Sequence, residues 1–283
     1  MRRGKINNLA LVFLILGSIF TLFSFIFDQM VIQKEDQIRN LSSEYEQAFN
    51  NYTASKNVIV NTLELSNRIM LKKIKYDFQA DFLQEAIMSI KFSPQIYDDY
   101  FHGGKGSNYN KNLETIFIGK YLSMYIKVLN ESTKANDFLW SLPIRAMDNK
   151  KFKKENQQVM QHMLVADKLL VENLKKYRNI GISFKINDIK NIEDFNKMRK
   201  NFTDLLNNFS ASATEVTSIN KIYGSFMNLY FLKSQKLVLD KSRTQNARNI
   251  FILLSVVSQI LGLLFLILLF KSLINKQKKI ITA

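Results

Sequence analysis

The 283 residues carry a formal charge of +16, from 40 Lys and Arg against 24 Asp and Glu, and contain no cysteine. Disulfides, thiolate metal sites and a thiol nucleophile are thereby excluded. Nine glycines and two prolines leave few chain breakers, which favours helices over a turn-rich β architecture.

In chain order, residues 1–8 form a basic tail with Arg2, Arg3 and Lys5. Residues 9–27 then form an apolar run without a charge, long enough to cross the ~30 Å hydrocarbon layer as a helix. The run is longer than a signal-peptide core, and Asp28-Gln29-Met30 follows it rather than a small-x-small cleavage site, so an uncleaved anchor is predicted. Residues 250–270 form a second uncharged apolar run, and residues 271–283 a second basic tail with Lys271, Lys276, Lys278 and Lys279. Basic flanks are retained on the cytoplasmic side of a membrane, so both termini are expected in the cytoplasm and residues 28–249 outside it. A large cysteine-free domain in that position suits the envelope of a bacterium, anchored in its inner membrane. Setting the tail charges aside leaves that domain near +9, which favours a lipid surface or small anions as partners. No nucleic-acid-binding motif is present.

Between the anchors, a 3-4 spacing of apolar residues marks four helices. The first continues from the membrane through Ile38, Leu41, Tyr45, Tyr52, Ile69, Tyr76, Leu83 and Ile87, and ends at Ser93-Pro94. A glycine-rich connector, His102 to Ser107, precedes the second, which holds Phe117, Tyr121, Met124, Val128 and Phe138. Trp140-Ser141-Leu142-Pro143 separates it from the third, with Val159, Met163, Ala166 and Leu170 in register up to Gly181. Asn187 or Asp188 can cap the fourth, whose stripe runs from Ile192 to Leu237 and is interrupted only by Arg199, Asn220 and Ser234.

The first and fourth helices, about 28–92 and 188–249, are roughly twice as long as the other two. Because the chain leaves and re-enters one membrane face, an all-α, up-down-up-down architecture follows. A four-helix bundle is expected in the distal half and a two-helix, coiled-coil-like stalk below it. Trp140 would plug the lower end of the bundle. Tyr45, Tyr52, Tyr223 and Tyr230 leave such a stalk under-buried, so a homodimer is expected to complete it. A separate membrane protein could fill the same stripe.

This layout, over about residues 7–270, resembles the extracytoplasmic four-helix-bundle sensor modules of bacterial chemoreceptors and histidine kinases. The resemblance implies a sensing role. No output domain is expected after the second span, so the signal would pass to a separate partner; a structural stalk or scaffold subunit is the competing expectation. No enzyme is expected. His102 with Asp98 and Asp99 is too sparse for a metal site, and His162 reads as a flank residue. The loop His102-Gly103-Gly104-Lys105-Gly106-Ser107 lacks the spacing of a phosphate loop. No cofactor is expected.

One constellation points to a ligand. Counted from the membrane, Lys73, Asn173 and Arg199 fall at one height, all at positions where apolar residues are expected. A buried cation costs several kcal/mol unless paired, so this layer needs an acid. Asp77, Glu172 or Asp194 can supply it, the lysine and arginine stems can carry their charges outward, or an anionic small ligand can sit between the helices.

Overall fold

The computed structural model describes residues 2–92, 107–144, 152–172 and 192–281. Four α-helices account for nearly all of them: α1, Arg2–Ile87; α2, Ser107–Ser141; α3, Lys153–Asp167; and α4, Ile192–Ile281. A wider π-type turn continues α1 over Met88–Phe92 and another continues α3 over Lys168–Glu172. No strand occurs among the described residues. The all-α expectation therefore holds. So does the continuity of the first helix with the apolar segment before it. The fourth helix likewise runs into the second apolar segment without a break. The expected breaks at Ser93-Pro94, at Gly103 to Gly106 and at Gly181, and the caps Asn187 and Asp188, lie outside the described residues.

Two compact units divide the chain, one formed by 1–50 with 229–283 and the other by 51–228. In the first unit the two apolar segments lie side by side. Phe20 stacks on Phe265 at 5.6 Å, and Phe27 faces Phe251 at 6.4 Å. Gly17 and Gly262 meet at the contact, where a Cβ built on Gly262 would sit 3.7 Å from the Gly17 carbonyl oxygen. Glycine at both positions lets the backbones approach closely, the usual device for helix contact in lipid. Ser24 and Ser255 are buried opposite each other with their hydroxyls 3.2 Å apart, and Ser255 donates to Asp28 Oδ1 at 2.7 Å. The remaining perimeter is apolar and open: Leu22, Phe25, Leu253, Leu263 and Phe270 are all about 60% exposed. Both helices are long and apolar enough to cross a membrane.

The second unit owes its core to the 3-4 apolar pattern. Tyr76, Ala80, Leu83 and Ile87 of α1, Ile118 through Leu129 of α2, and Phe195, Met198, Phe202, Leu205 and Leu206 of α4 form one buried cluster. Tyr121 lies at its centre, 5.2 Å from the Phe202 ring. Residues Val159, Met163 and Ala166 of α3 are buried as the spacing predicts. Polar links tie α1 to α4, among them Asn220 Nδ2, which donates to the Ile59 carbonyl and to Thr62 Oγ1, both at 2.9 Å, and Ser66, which pairs with Thr217 at 3.1 Å. Asn220, which interrupts the stripe in sequence, thus satisfies its amide in the contact.

Candidate functional site

Of the arrangements expected for the cationic layer, the structure shows the internally balanced one at Lys73 and an outward-facing Arg199. Lys73 is half-buried and forms an ion pair with Asp77, one turn along the same helix, so its charge is already balanced. Arg199 is exposed, and Met198, at 1% exposure, fills the core position instead. The reason is geometric. At 100° per residue, Phe195, Met198, Phe202, Leu205 and Leu206 span one buried arc, and Arg199 falls just outside it while Met198 falls within. Asn173 lies outside the described residues. Trp140 also departs from expectation: it is 47% exposed and donates its indole N–H to Asp167 Oδ1 at 2.9 Å. An indole N–H needs an acceptor, and the one available is at the surface.

Other charged side chains cluster where helices meet. Glu131 of α2 has only 12% of its side chain exposed and faces Arg68 at 4.0 Å, Lys72 at 3.6 Å and Lys134 at 3.4 Å. Lys91 bonds Glu114 at 2.6 Å, and His162 Nδ1 lies 2.6 Å from Glu215 Oε2, joining α3 to α4. In the core, Gln84 donates to the Tyr121 hydroxyl at 3.0 Å. Burial pushes the Tyr121 phenol well above its ordinary value, against the smaller opposing effects of the Gln84 hydrogen bond and the Arg199 charge. Tyr76 is raised too, by burial first and then by the Glu131 carboxylate. These contacts brace the helices, and each has its partner within the chain.

A different place has chemistry left over. Between α1 and α2 an open groove of about 320 Å³ has Phe78, Phe82, Leu83 and Met124 on its apolar surface and Lys120 and Lys127 on its edge. Phe82 meets Phe117 edge-on at 6.5 Å, and Lys120 lies over the Phe117 ring at 5.7 Å. Neither Lys120 nor Lys127 forms an ion pair among the described residues. Phe78 is 79% exposed and Phe82 61%, values foreign to a finished surface and expected of one that binds something. The sequence did carry a signal for it. Phe78 and Phe82 belong to a second apolar stripe on α1, distinct from the buried one.

No protein family, curated protein or solved structure matches this chain.

Proposed function

We propose that this chain is a non-enzymatic, two-pass membrane protein. Its segment between the spans is a four-helix bundle that senses or binds, and that relays to a separate partner. The observation that carries the reading is the pairing of the two apolar segments. Each joins, as one continuous helix, to the helices of the second unit. Side by side they expose an apolar perimeter fit for lipid, and they seal their small and polar residues against each other: Gly17 on Gly262, Ser24 on Ser255. The basic residues beyond each span support a topology with both termini in the cytoplasm of a bacterium. The contact of α1 with α4 through Asn220 and Ser66 supports relay, because a shift of one helix must disturb hydrogen bonds to the other.

The bundle reading rests on the shared core of α1, α2 and α4 together with the buried face of α3. With Lys73 neutralised by Asp77 and Arg199 turned to solvent, no ligand is proposed at that layer. Alkaline carbonate extraction of membranes from expressing cells tests the anchoring. The full chain should stay in the membrane pellet, and release into the supernatant would overturn the proposal.

A further inference from the structure

We propose that a second copy of this chain covers the outer face of α1, in a parallel two-fold contact centred on Phe78. The parallel sense draws on the membrane reading above, and the surface itself is argued from the second unit alone.

The helix α1 has two apolar faces. Val58, Leu65, Ile69, Tyr76, Leu83 and Ile87 lie within the unit. Val60, Leu63, Leu71, Ile74, Phe78 and Phe82 point away from it, between 47% and 79% exposed. The outer stripe repeats every eleven residues, Val60 to Leu71 to Phe82 and Leu63 to Ile74, with Asn67 and Glu64 its polar members. Eleven residues over three turns is about 3.67 per turn, close to the 3.6 of a straight helix, so the stripe stays on one side over its whole length. Surface residues do not acquire that spacing one at a time. A phenylalanine carries 150–250 Å² of surface, so Phe78 and Phe82 alone expose about 280 Å² per chain. That is about a third of the ~800 Å² each partner contributes to a standard interface, before Leu71, Ile74 and the flanks are added. Two chains held in one bilayer meet at high local concentration, which lowers the affinity such a contact needs.

Charge identifies the occupant. At 100° per residue, Lys75 and Asp81 sit about 60° to either side of Phe78. On the Lys75 side the groove adds Lys120 and Lys127 from α2, whereas on the Asp81 side Asp77 is already balanced by Lys73. One edge of the stripe is therefore basic, and the other presents the Asp81 carboxylate. In a parallel two-fold pair the basic edge of each chain meets the acidic edge of the other. In an antiparallel pair like edges would meet and repel. Two copies anchored in the same membrane can only be parallel, so the charge pattern and the anchoring agree. The dimer expected at the stalk tyrosines is not the one proposed: Tyr223 at 1%, Tyr230 at 7% and Leu237 at 7% exposure are already buried within one chain.

The native absence of cysteine makes the test direct. Single cysteines replace Leu71, Ile74, Phe78 and Phe82 in the full chain, with Asn207→Cys and Lys221→Cys as exposed controls on α4, and native membranes are oxidised. Disulfides need Cβ atoms about 3.8 Å apart, so the four outer-face positions should give dimer bands and the controls none. In the Phe78→Cys chain, adding Lys75→Glu or Asp81→Lys should each cause loss of the dimer band, and the two together should restore it. Lys75 and Asp81 form no ion pair among the described residues, so restoration is the mark of contact between copies. Bands at the controls as strong as at the outer face, bands only to other membrane proteins, or a double exchange that fails to restore the dimer would each overturn the proposal. The same samples separate the two readings: a chain retained in the membrane but not cross-linked fails here alone, whereas a chain released by carbonate fails the membrane reading.

Discussion

Gln84 and Tyr121 form a polar pair inside an otherwise apolar core, 6% and 0% exposed. The 3.0 Å bond between them makes an asymmetric prediction. Replacing Tyr121 by Phe removes the acceptor and leaves the Gln84 amide N–H buried without a partner, which costs about 1–3 kcal/mol. Gln84→Leu instead leaves the phenol without its donor and should cost about the same. The double variant Gln84→Leu/Tyr121→Phe removes both polar groups and fills the space with apolar atoms, so it should lie near the native stability. The singles are therefore not additive, and the coupling should exceed about 1 kcal/mol. Thermal unfolding of the detergent-solubilised chain, followed by circular dichroism, should show each single lowered by about 2–4 °C per kcal/mol and the double close to wild type. A double variant as unstable as the sum of the singles would refute the reasoning. The same tyrosine also sets an alkaline limit. Because burial holds its folded pKa above the ordinary value near 10, the unfolded state loses the proton first as pH rises. Stability is thus whole below about pH 10 and falls above it. The Tyr121→Phe chain should show a shallower alkaline decline.

Three further outcomes are expected. A Ser24→Cys/Ser255→Cys chain should form an intrachain disulfide on oxidation, since the two hydroxyls lie 3.2 Å apart; two separable spans would give none. Gly262→Ala should be tolerated, because the added Cβ meets Thr21, Gly17 and Phe20 at ordinary contact distances of 3.5–3.7 Å, whereas Gly262→Leu should abolish that disulfide by forcing the helices apart. Glu131→Gln should cost about 1–2 kcal/mol by leaving Arg68, Lys72 and Lys134 without their shared acid, while Lys134→Ala, at a side chain 60% exposed, should change stability by less than about 0.5 kcal/mol in urea titrations.

The helices were legible because the pattern that builds them is local. The 3-4 spacing through Phe195, Phe202, Leu206, Phe209, Ala213 and Val216 is the buried face of α4, and the uncharged runs at each end are the apolar end segments of α1 and α4. Two things were not legible. The width of the buried arc was not legible at Arg199: the packing of α4 takes in Met198 and Leu205 on one side of the stripe and leaves residue 199 outside. Pairings between distant segments were hidden as well: Glu131 with Arg68 and Lys72, and His162 with Glu215, depend on which helix lies beside which, and spacing within one helix holds no record of that. The outer face of α1 lay in between. Its residues were in plain view, but burial is what distinguishes two apolar stripes on one helix.

The most direct test of the two-span account is the sidedness of the chain in intact cells. Single cysteines at Asn207, exposed on α4 within the second unit, and at Gln277, exposed beyond the second apolar segment, can be probed with a membrane-impermeant maleimide. The account predicts labelling at Asn207→Cys in intact cells, and at Gln277→Cys only after lysis. Equal labelling of both in intact cells, or of neither until lysis, would contradict it.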